Sequence, residues 1–425
     1  GRRVNLKLDR LLLATLVGIL ALAMVNLQSA TQHRPSAFDA QVTWLGVATV
    51  ALLLAIYIPS KVVDRLSPLV WVAVVVLLVM VLVMGTKVNG AKRWLSFGSL
   101  RIQPSEFAKL GVIFLLAHTM SRSRRGDEPW SISELLGPLN PSRPLALLAV
   151  LILGGERLGQ GYFPVAVLAL VWFVMSASEI VRHGWRGRFV APLDLILVPM
   201  VLINIEPDLG TSLVVLVCGL GVFWGAGIQM PPKRALAAVS PLPFLGGWFS
   251  WNYLLLDYQK ARILGVLNPE ADAQRTGYHT IQSINAIANG GIFGRGLGAG
   301  AQAQTARLPE HHTDFIFAVL AEEWGLMGSM LALFLLFILV LLIIDGARHT
   351  PDRFLELSGY GIATLIVFQI VVNVGMVTGI MPVVGMTLPF FSKGGSSLVS
   401  LCFAVGLMIQ ARSTRASGVA GRSYT

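Results

Sequence analysis

The sequence predicts an all-α polytopic membrane protein, and two observations carry this prediction. Of its 425 residues, 55% are hydrophobic and only 13% are charged. Apolar runs of about 17 to 25 residues, long enough to cross the hydrocarbon core of a bilayer as a helix, recur along the chain. These runs lack the period-2 alternation of a transmembrane β-barrel, which the sequence therefore excludes. We treat residues 1–425 as a single integral membrane domain.

Ten apolar runs are predicted to span the membrane. The first lacks the small-residue cleavage site that follows a signal peptide, so we expect it to be a retained helix. In chain order the predicted spans are Leu11–Leu27, Val42–Pro59, Ser67–Gly85, Ser105–Met120, Phe189–Ile205, Gly210–Ile228, Ala235–Leu256, Asp314–Ile344, Leu357–Ile380 and Ser396–Gln410.

Two further apolar pieces, Leu145–Leu153 and Phe163–Ala177, predict an inserted helical hairpin over residues 143–178. The first piece is short for a span at about 1.5 Å per residue, so it is either tilted or re-entrant. Arginine clusters of similar density flank the pair, which places both clusters on one side of the membrane with an even number of crossings between them. These clusters are Arg122, Arg124 and Arg125, and Arg182, Arg186 and Arg188.

Basic residues predict the orientation. Placing the amino terminus in the cytoplasm also places most of the 33 lysines and arginines inside, as the positive-inside rule requires. Both termini are then cytoplasmic, and residues 257–313 form a large extracytoplasmic loop. The net charge of +11 is explained by cytoplasmic loops that face anionic lipid, so we expect no nucleic-acid partner.

A group of cations falls on the outer side, where the positive-inside rule disfavours them. They are either solvated loop charges or contacts to a bound anion such as a lipid pyrophosphate, for which arginine offers planar bidentate contacts. The group comprises Arg34, Lys87, Lys92, Arg93, Arg101, Arg157, Lys260, Arg262, Arg275, Arg295, Arg307 and Lys393.

The polar block Tyr278–Gly325 lies between long apolar runs and is the main candidate for chemistry. Its glycines invite a phosphate-loop interpretation, but no strand precedes them and no Lys-Ser/Thr follows, which argues against a nucleotide fold. We expect a tight irregular loop on the membrane surface, with Arg295 and Arg307 as anion contacts. His311 and His312 are adjacent, which is poor spacing for zinc.

Asp314 opens a predicted span on the outer side, and two interpretations of it remain open. It could serve as an N-cap, a position that suits aspartate. It could instead accept the proton of a sugar hydroxyl that attacks an anomeric carbon, or hold a divalent metal against a pyrophosphate.

Several other polar residues have a structural and a functional interpretation. Glu106 and Lys109, three residues apart, are able to pair on one helical face, either as a structural pair or with Lys109 neutralising substrate phosphate. Arg93 suits a lipid headgroup, and Gln103 either binds a sugar or caps the following helix. Ser396 belongs to a second possible headgroup site, and Glu322 and Glu323 are expected to pair with basic residues.

Four motifs together resemble the RodA/FtsW (SEDS) family of shape, elongation, division and sporulation proteins. The motifs are AKRWLSFGSLRIQPSEFAK (Ala91–Lys109), EPDLGTSLV (Glu206–Val214), the Tyr278–Gly325 block and QIVVNVGMVTGIMPVVGMTLPFFSKGGSSL (Gln369–Leu398). MPVVGMTLPF is closer to the RodA branch than to the division branch. Two features depart from the family pattern: Lys393 replaces the usual Tyr, and the hairpin over residues 143–178 is additional to the ten family helices.

The resemblance implies a peptidoglycan glycosyltransferase that polymerises lipid II at the outer face of the bacterial cytoplasmic membrane. It implies a class B penicillin-binding protein and other elongation-complex membrane proteins as partners, and the large outer loop before the eighth family helix. Asp314 then matches the catalytic aspartate, with Mg²⁺ or Mn²⁺ as a possible cofactor bound by it. The candidate substrate-binding residues are Glu106, Lys109, Arg93, Gln103, Arg295, Arg307, His312 and Ser396.

Two alternatives remain open at this stage. A lipid II flippase would need charged or broken helices near the midplane, whereas the polar groups here crowd the outer interface. A division-specific polymerase of the FtsW type would share most of the motifs.

Overall fold

The computed structural model describes residues 9–32, 34–88, 91–97, 100–122, 192–206, 208–228, 260, 263–265, 276–300 and 313–422. The predicted span Ala235–Leu256 and the predicted hairpin over residues 143–178 lie outside the described residues. So does most of the loop predicted over residues 257–313.

The described part of the chain is dominated by helices, which confirms the predicted fold class. In chain order these are α1 (Arg10–Ala30), α2 (Pro35–Tyr57), α3 (Ser60–Met84), α4 (Pro104–Ser121), α5 (Pro192–Ile205), α6 (Leu209–Ala226), α7 (Thr276–Gly290), α8 (Ile316–His349), α9 (Arg353–Val377) and α10 (Gly395–Arg422). Seven helices among the described residues are long and apolar enough to cross a membrane.

A small antiparallel sheet between α3 and α4 was not predicted. Its strands are β1 (Thr86–Val88), β2 (Ala91–Phe97) and β3 (Leu100–Ile102), and β2 lies in the middle. Trp94 pairs with Thr86, and Leu95 pairs with Ile102. Aromatic and branched residues favour such strands, so the sheet fixes a segment that the sequence analysis had placed in a loop.

The chain divides into two compact units. The first comprises Gly1–Asp64 and Ala261–Thr425, and the second comprises Arg65–Lys260. In the first unit, α2 packs against α10, and α8 packs against α1, α7 and α9. A Cβ at Gly395 would lie 2.1 Å from the Trp44 ring, so the glycine permits the close approach of α2 and α10.

The core of the second unit is built from α4, α5 and α6. Val112, Ile113, Leu115 and Leu116 of α4 have no exposed surface. The Trp71 indole N–H donates to the carbonyl oxygen of Leu195 over 3.1 Å, which satisfies a buried polar group in this apolar setting.

Helix α8 is interrupted at Gly325, where φ is 67° and ψ is −163°. The carbonyl oxygens of Glu322 and Glu323 accept hydrogen bonds of 3.0 Å from the backbone N–H groups of Arg295 and Gly296. Beyond the break, the N–H groups of Leu326 and Met327 donate to the carbonyl oxygens of residues 291 and 292. The glycine-rich segment 291–298 therefore supplies the backbone hydrogen-bond partners that α8 lacks at its break.

Hydrogen bonds locate this segment along α8. Gly325 lies roughly 13 Å along α8 from Ile316, so the segment lies beside the third turn of a helix long enough to cross a membrane. Glycine is required here, since a Cβ at Gly294 would lie 2.1 Å from the carbonyl oxygen of Glu323. Composition predicted an irregular loop, but not its pairing with a broken helix.

Candidate functional site

Asp314 lies in a turn over residues 313–315, immediately before α8 begins at Ile316. The N-cap position belongs to Phe315, which makes no side-chain capping bond. The N-cap interpretation of Asp314 was therefore wrong, because the helix begins two residues later than the predicted span. The Asp314 side chain is half-buried, which leaves it accessible for chemistry.

Side chains from α9 and from the loop before α10 hold the backbone of this turn. Asn373 donates from Nδ2 to the carbonyl oxygens of Asp314 and Met386, over 2.9 Å and 2.6 Å. The Ser392 hydroxyl donates to the carbonyl oxygen of Thr313 over 2.7 Å and accepts from the Leu388 N–H over 2.8 Å. The segment 385–392 thus forms one wall beside the aspartate.

Two backbone features mark this wall as unusual. Gly385 has φ of 71°, and a Cβ there would lie 3.5 Å from the Asp314 Oδ2 atom. Phe390 is buried and has φ of 66°, the one non-glycine residue with positive φ among the described residues. A bulky residue in this region is strained and persists only where its surroundings fix it, which is common at functional sites.

His279 is a neighbour of the aspartate turn that the sequence analysis did not single out. Its ring stacks on that of Phe315, with centroids 6.0 Å apart and an interplanar angle of 25°. Helix α7 is held there partly by Ser283, whose hydroxyl donates to the carbonyl oxygen of Val377 over 2.8 Å. The signal was available in the Tyr278-His279-Thr280 sequence that opens the polar block.

The other predicted residues of the first unit lie in different surroundings. The exposed Arg295 donates from Nε to the carbonyl oxygen of Asn289 over 3.1 Å, at the end of α7 and beside the break in α8. Ser396 is buried in the first turn of α10, four residues after Ser392. Arg307 and His312 lie outside the described residues.

Among the described residues, Glu323 has no ion pair with a basic side chain, which was the expected partner. Its Oε1 atom accepts from the Ser29 hydroxyl over 2.5 Å and from the Gly298 N–H over 3.2 Å. The carboxyl group thus joins α1 to the glycine-rich segment beside the break in α8.

In the second unit, Glu106 and Lys109 form the predicted pair. Lys109 Nζ lies 2.6 Å from Glu106 Oε2, and both side chains are buried in α4. A spacing of three residues puts them on one face of the helix. The pairing is confirmed, but its role stays a proposal.

Arg93 and Gln103, also of the second unit, contact the turn between α5 and α6. Arg93 Nε donates to the carbonyl oxygen of Glu206 over 3.3 Å, and Gln103 Nε2 donates to Asp208 Oδ2 over 3.4 Å. Asp208 caps α6 by accepting from the Thr211 N–H over 3.3 Å. Gln103 stands at the N-cap position of α4 without a side-chain capping bond.

Glu206 is a buried carboxyl group in this turn. Its side-chain oxygens have no hydrogen-bond partner among the described residues. Burial raises the pKa of Glu206 well above its usual range, the Asp208 carboxylate acts in the same direction, and Arg93 opposes the shift. Glu206 is therefore protonated in the folded protein over a wider pH range than an ordinary glutamate.

The described residues contain no group of three or more His, Cys, Asp or Glu side chains placed to hold a metal. A divalent ion that uses one carboxylate together with substrate phosphates needs no such cluster, because Mg²⁺ is commonly bound in this way. The half-buried Asp314 carboxylate fits that role.

Comparison with known proteins decides the family. The family model of the FtsW/RodA/SpoVE cell cycle proteins matches residues 4–182 and 166–417. The chain belongs to this family. It is 30% identical to the peptidoglycan glycosyltransferase MrdB of Escherichia coli (strain K12) over 410 residues, which cover 96% of this chain and 94% of the relative.

Other members of the family agree with this assignment. The peptidoglycan glycosyltransferase RodA of Treponema pallidum (strain Nichols) is 31% identical over 442 residues, covering 94% of this chain and 96% of the relative. The crystal structure of the Thermus thermophilus rod shape determining protein RodA matches with a TM-score of 0.60 and 26% identity, covering 97% of this chain and 98% of that one.

A third match is a chain from a solved structure that concerns how a peptidoglycan synthase complex coordinates polymerization and crosslinking. It gives a TM-score of 0.71 and 29% identity, and covers 96% of this chain and 99% of that chain. The RodA-like fold and the apolar helices establish an integral membrane protein.

Proposed function

We propose that this protein is a peptidoglycan glycosyltransferase that polymerises lipid II during cell elongation and shape maintenance. The observation that carries the proposal is the Asp314 turn, which presents a half-buried carboxylate just before α8. Family membership supports the reaction, since relatives matched over most of their length bear the name peptidoglycan glycosyltransferase. The MrdB and RodA relatives favour elongation over the division-specific alternative.

The proposed reaction joins two sugars at an anomeric carbon. A sugar hydroxyl oxygen forms a bond to that carbon, and the bond between the carbon and the pyrophosphate oxygen breaks. Asp314 accepts the hydroxyl proton, and the lipid pyrophosphate leaves with the electron pair. The ionised carboxylate is favoured by its position at the positive end of α8.

Cationic groups are proposed to bind the substrate phosphates. In the second unit, Lys109 and Arg93 are the candidates, with Glu106 orienting Lys109 and Gln103 binding a sugar hydroxyl. In the first unit the cationic candidate is Arg295, and the neutral Ser396 hydroxyl is a candidate hydrogen-bond donor to the headgroup. Arg307 and His312, which lie outside the described residues, are further candidates. Charge-assisted hydrogen bonds of this kind are the strongest contacts available to a pyrophosphate.

We propose that Asp314 would hold a divalent cation, Mg²⁺ or Mn²⁺. When bound, such an ion would neutralise the charge that develops on the leaving group. The residues of this chain would orient the acceptor hydroxyl, and the Asp314 carboxylate would accept its proton.

The setting of the reaction is also a proposal. We place the chain in the bacterial cytoplasmic membrane with both termini inside and Asp314 on the outer side, as the distribution of basic residues favours. Residues 257–313 are proposed as an extracytoplasmic loop and residues 143–178 as an inserted hairpin. A class B penicillin-binding protein is the proposed partner, supported by the match to a peptidoglycan synthase complex, with other elongation-complex membrane proteins beside it.

The test is polymerisation of lipid II by the purified protein. Fluorescent lipid II is incubated with the protein in liposomes, with and without a class B penicillin-binding protein, and the products are separated by length. Transbilayer movement of lipid II is measured in the same liposomes. We expect glycan polymer, whereas transbilayer movement without any polymer under either condition would support the flippase instead.

A further inference from the structure

The aspartate turn is held through its backbone. Phe315, the N-cap residue of α8, makes no side-chain capping bond. Instead, the carbonyl oxygens of Thr313 and Asp314, two consecutive residues, accept hydrogen bonds from the Ser392 hydroxyl and the Asn373 amide.

Of the two side chains, that of Asn373 is the more tightly fixed. Asn373 has no exposed surface, and its Nδ2 atom donates to two carbonyl oxygens, those of Asp314 and Met386, over 2.9 Å and 2.6 Å. An amide NH₂ has two hydrogens, so one group can satisfy both acceptors. The opposite amide orientation would place an oxygen against two oxygens, which the same contacts exclude.

The amide therefore links the aspartate turn to the loop that faces the carboxylate. Met386 follows Gly385, where a Cβ would lie 3.5 Å from Asp314 Oδ2. Ser392 also joins this loop to the aspartate turn. Its hydroxyl donates to the carbonyl oxygen of Thr313 and accepts from the Leu388 N–H over 2.8 Å. The aspartate turn and the segment 385–392 beside it are thus held by two buried side chains, Asn373 and Ser392.

We propose that Asn373, assisted by Ser392, is a positioning residue that sets the Asp314 carboxylate for proton transfer. This assignment rests on the proposed polymerase function. Proton transfer and displacement need reacting groups in place, and a misplacement of about 1 Å can cost about 100-fold in rate. Asn373 has no exposed surface, so in this assignment it acts through Asp314.

The chain contains a matched control for this role. Gln410 is likewise a buried amide whose Nε2 atom donates to two carbonyl oxygens, those of Ile56 and Ile58, over 3.2 Å and 2.8 Å. It lies about 22 Å along α10 from Gly395. Gln410→Glu therefore removes the same kind of bond at a site about 22 Å along the helix from its first residue.

The experiment measures kcat and KM for lipid II polymerisation together with the melting temperature of each variant. Asn373→Asp keeps the shape and removes both donors, so kcat should fall at least tenfold while KM changes less than threefold. Gln410→Glu should lower the melting temperature similarly and leave kcat within about twofold of the parent. Ser392→Ala should lower kcat, and Ser392→Thr, which keeps the hydroxyl, should restore most of it.

The outcomes separate the two proposals. Polymer made by the parent, with equal kcat losses in Asn373→Asp and Gln410→Glu, would overturn the positioning role alone. Absence of polymer in the parent would overturn the proposed function and this assignment with it. Should Asn373→Asp fail to fold, the Ser392 pair decides: equal kcat in Ser392→Ala and Ser392→Thr would reject the role.

Discussion

The ion pair between Glu106 and Lys109 has two possible roles that differ in what its removal does. A buried pair can serve structure alone, and its replacement by apolar groups of similar size is then often neutral or stabilising. A pair that orients Lys109 toward substrate would lose activity under the same replacement. Both side chains are buried, Lys109 at 3% and Glu106 at 9% exposure, so each charge is costly when left alone.

Removal of one partner should be destabilising and inactivating. Lys109→Ala leaves Glu106 as an unpaired buried charge, which should cost about 3 to 5 kcal/mol of stability and most of the activity. The double change Glu106→Gln with Lys109→Met should recover the melting temperature without recovering polymerisation. Recovery of both would show that the pair is structural only and remove Lys109 from the site.

An exposed pair in α9 provides the control for these measurements. Arg353 and Glu356 have the same spacing and an N–O distance of 2.8 Å, but Arg353 is 41% exposed and Glu356 23% exposed. The corresponding change, Arg353→Ala, should cost less than about 1 kcal/mol because solvent screens the charge that remains.

Activity should depend on a divalent cation if Asp314 shares a metal with the pyrophosphate. Excess chelator should then abolish polymer formation, and Mg²⁺ or Mn²⁺ should restore it. The check is polymer yield across a titration of chelator and added metal, with product length confirmed. Full yield in excess chelator would reject the metal.

At the site, the sequence predicts contacts between residues close together in the chain well, and contacts between residues far apart in the chain poorly. Glu106 and Lys109 share one helical turn, so their pairing follows from the spacing alone. The contact of Arg93 with Glu206 spans 113 positions, and that of Asn373 with Asp314 spans 59. Such contacts depend on how helices and loops pack, which no local pattern encodes.

The break in α8 is the element with the most specific sequence requirement. Gly325 adopts φ of 67° and ψ of −163°, a region that only glycine occupies readily. A Cβ there would lie 2.3 Å from the Gly294 backbone nitrogen and 2.6 Å from the Ile292 carbonyl oxygen. Strain and backbone overlap therefore oppose any other residue.

Gly325→Ala should lower the stability by more than about 3 kcal/mol and release the segment 291–298 from α8. The melting temperature and protease accessibility of that segment are the measurements. Gly18→Ala in α1 is the matched control, because a Cβ there meets nothing within 4 Å and alanine favours helix. Equal melting temperatures for the two variants would contradict the assigned role of the break.

Composition was sufficient to predict some secondary-structure elements and insufficient for others. The predicted span Leu11–Leu27 corresponds to α1 (Arg10–Ala30), because a bilayer-length apolar run has few alternatives to a helix. The strands over 86–102 were missed since their residues were read as a polar loop. The pairing of the glycine-rich segment with α8 was not predicted, because its hydrogen bonds come from backbone groups.

At the scale of the whole molecule, apolar composition and four ordered motifs were sufficient to predict the fold class and the family. Family membership is shown by the match over residues 4–182 and 166–417. The arrangement of residues 123–191, where the hairpin is predicted, could not be derived in the same way. Its first apolar piece is too short to decide between a tilted span and a re-entrant one.

The central claim is that Asp314 is the catalytic group of a lipid II polymerase. The most direct measurement is the rate of polymer formation by the parent, Asp314→Asn and Asp39→Asn, each purified and shown to be folded. Asp39 is an exposed aspartate of α2 and serves as the matched control. Asp314→Asn should retain the fold and lose at least about tenfold in rate, because the amide cannot accept the proton, while Asp39→Asn keeps the parent rate. Polymerisation by Asp314→Asn at the parent rate would contradict the account.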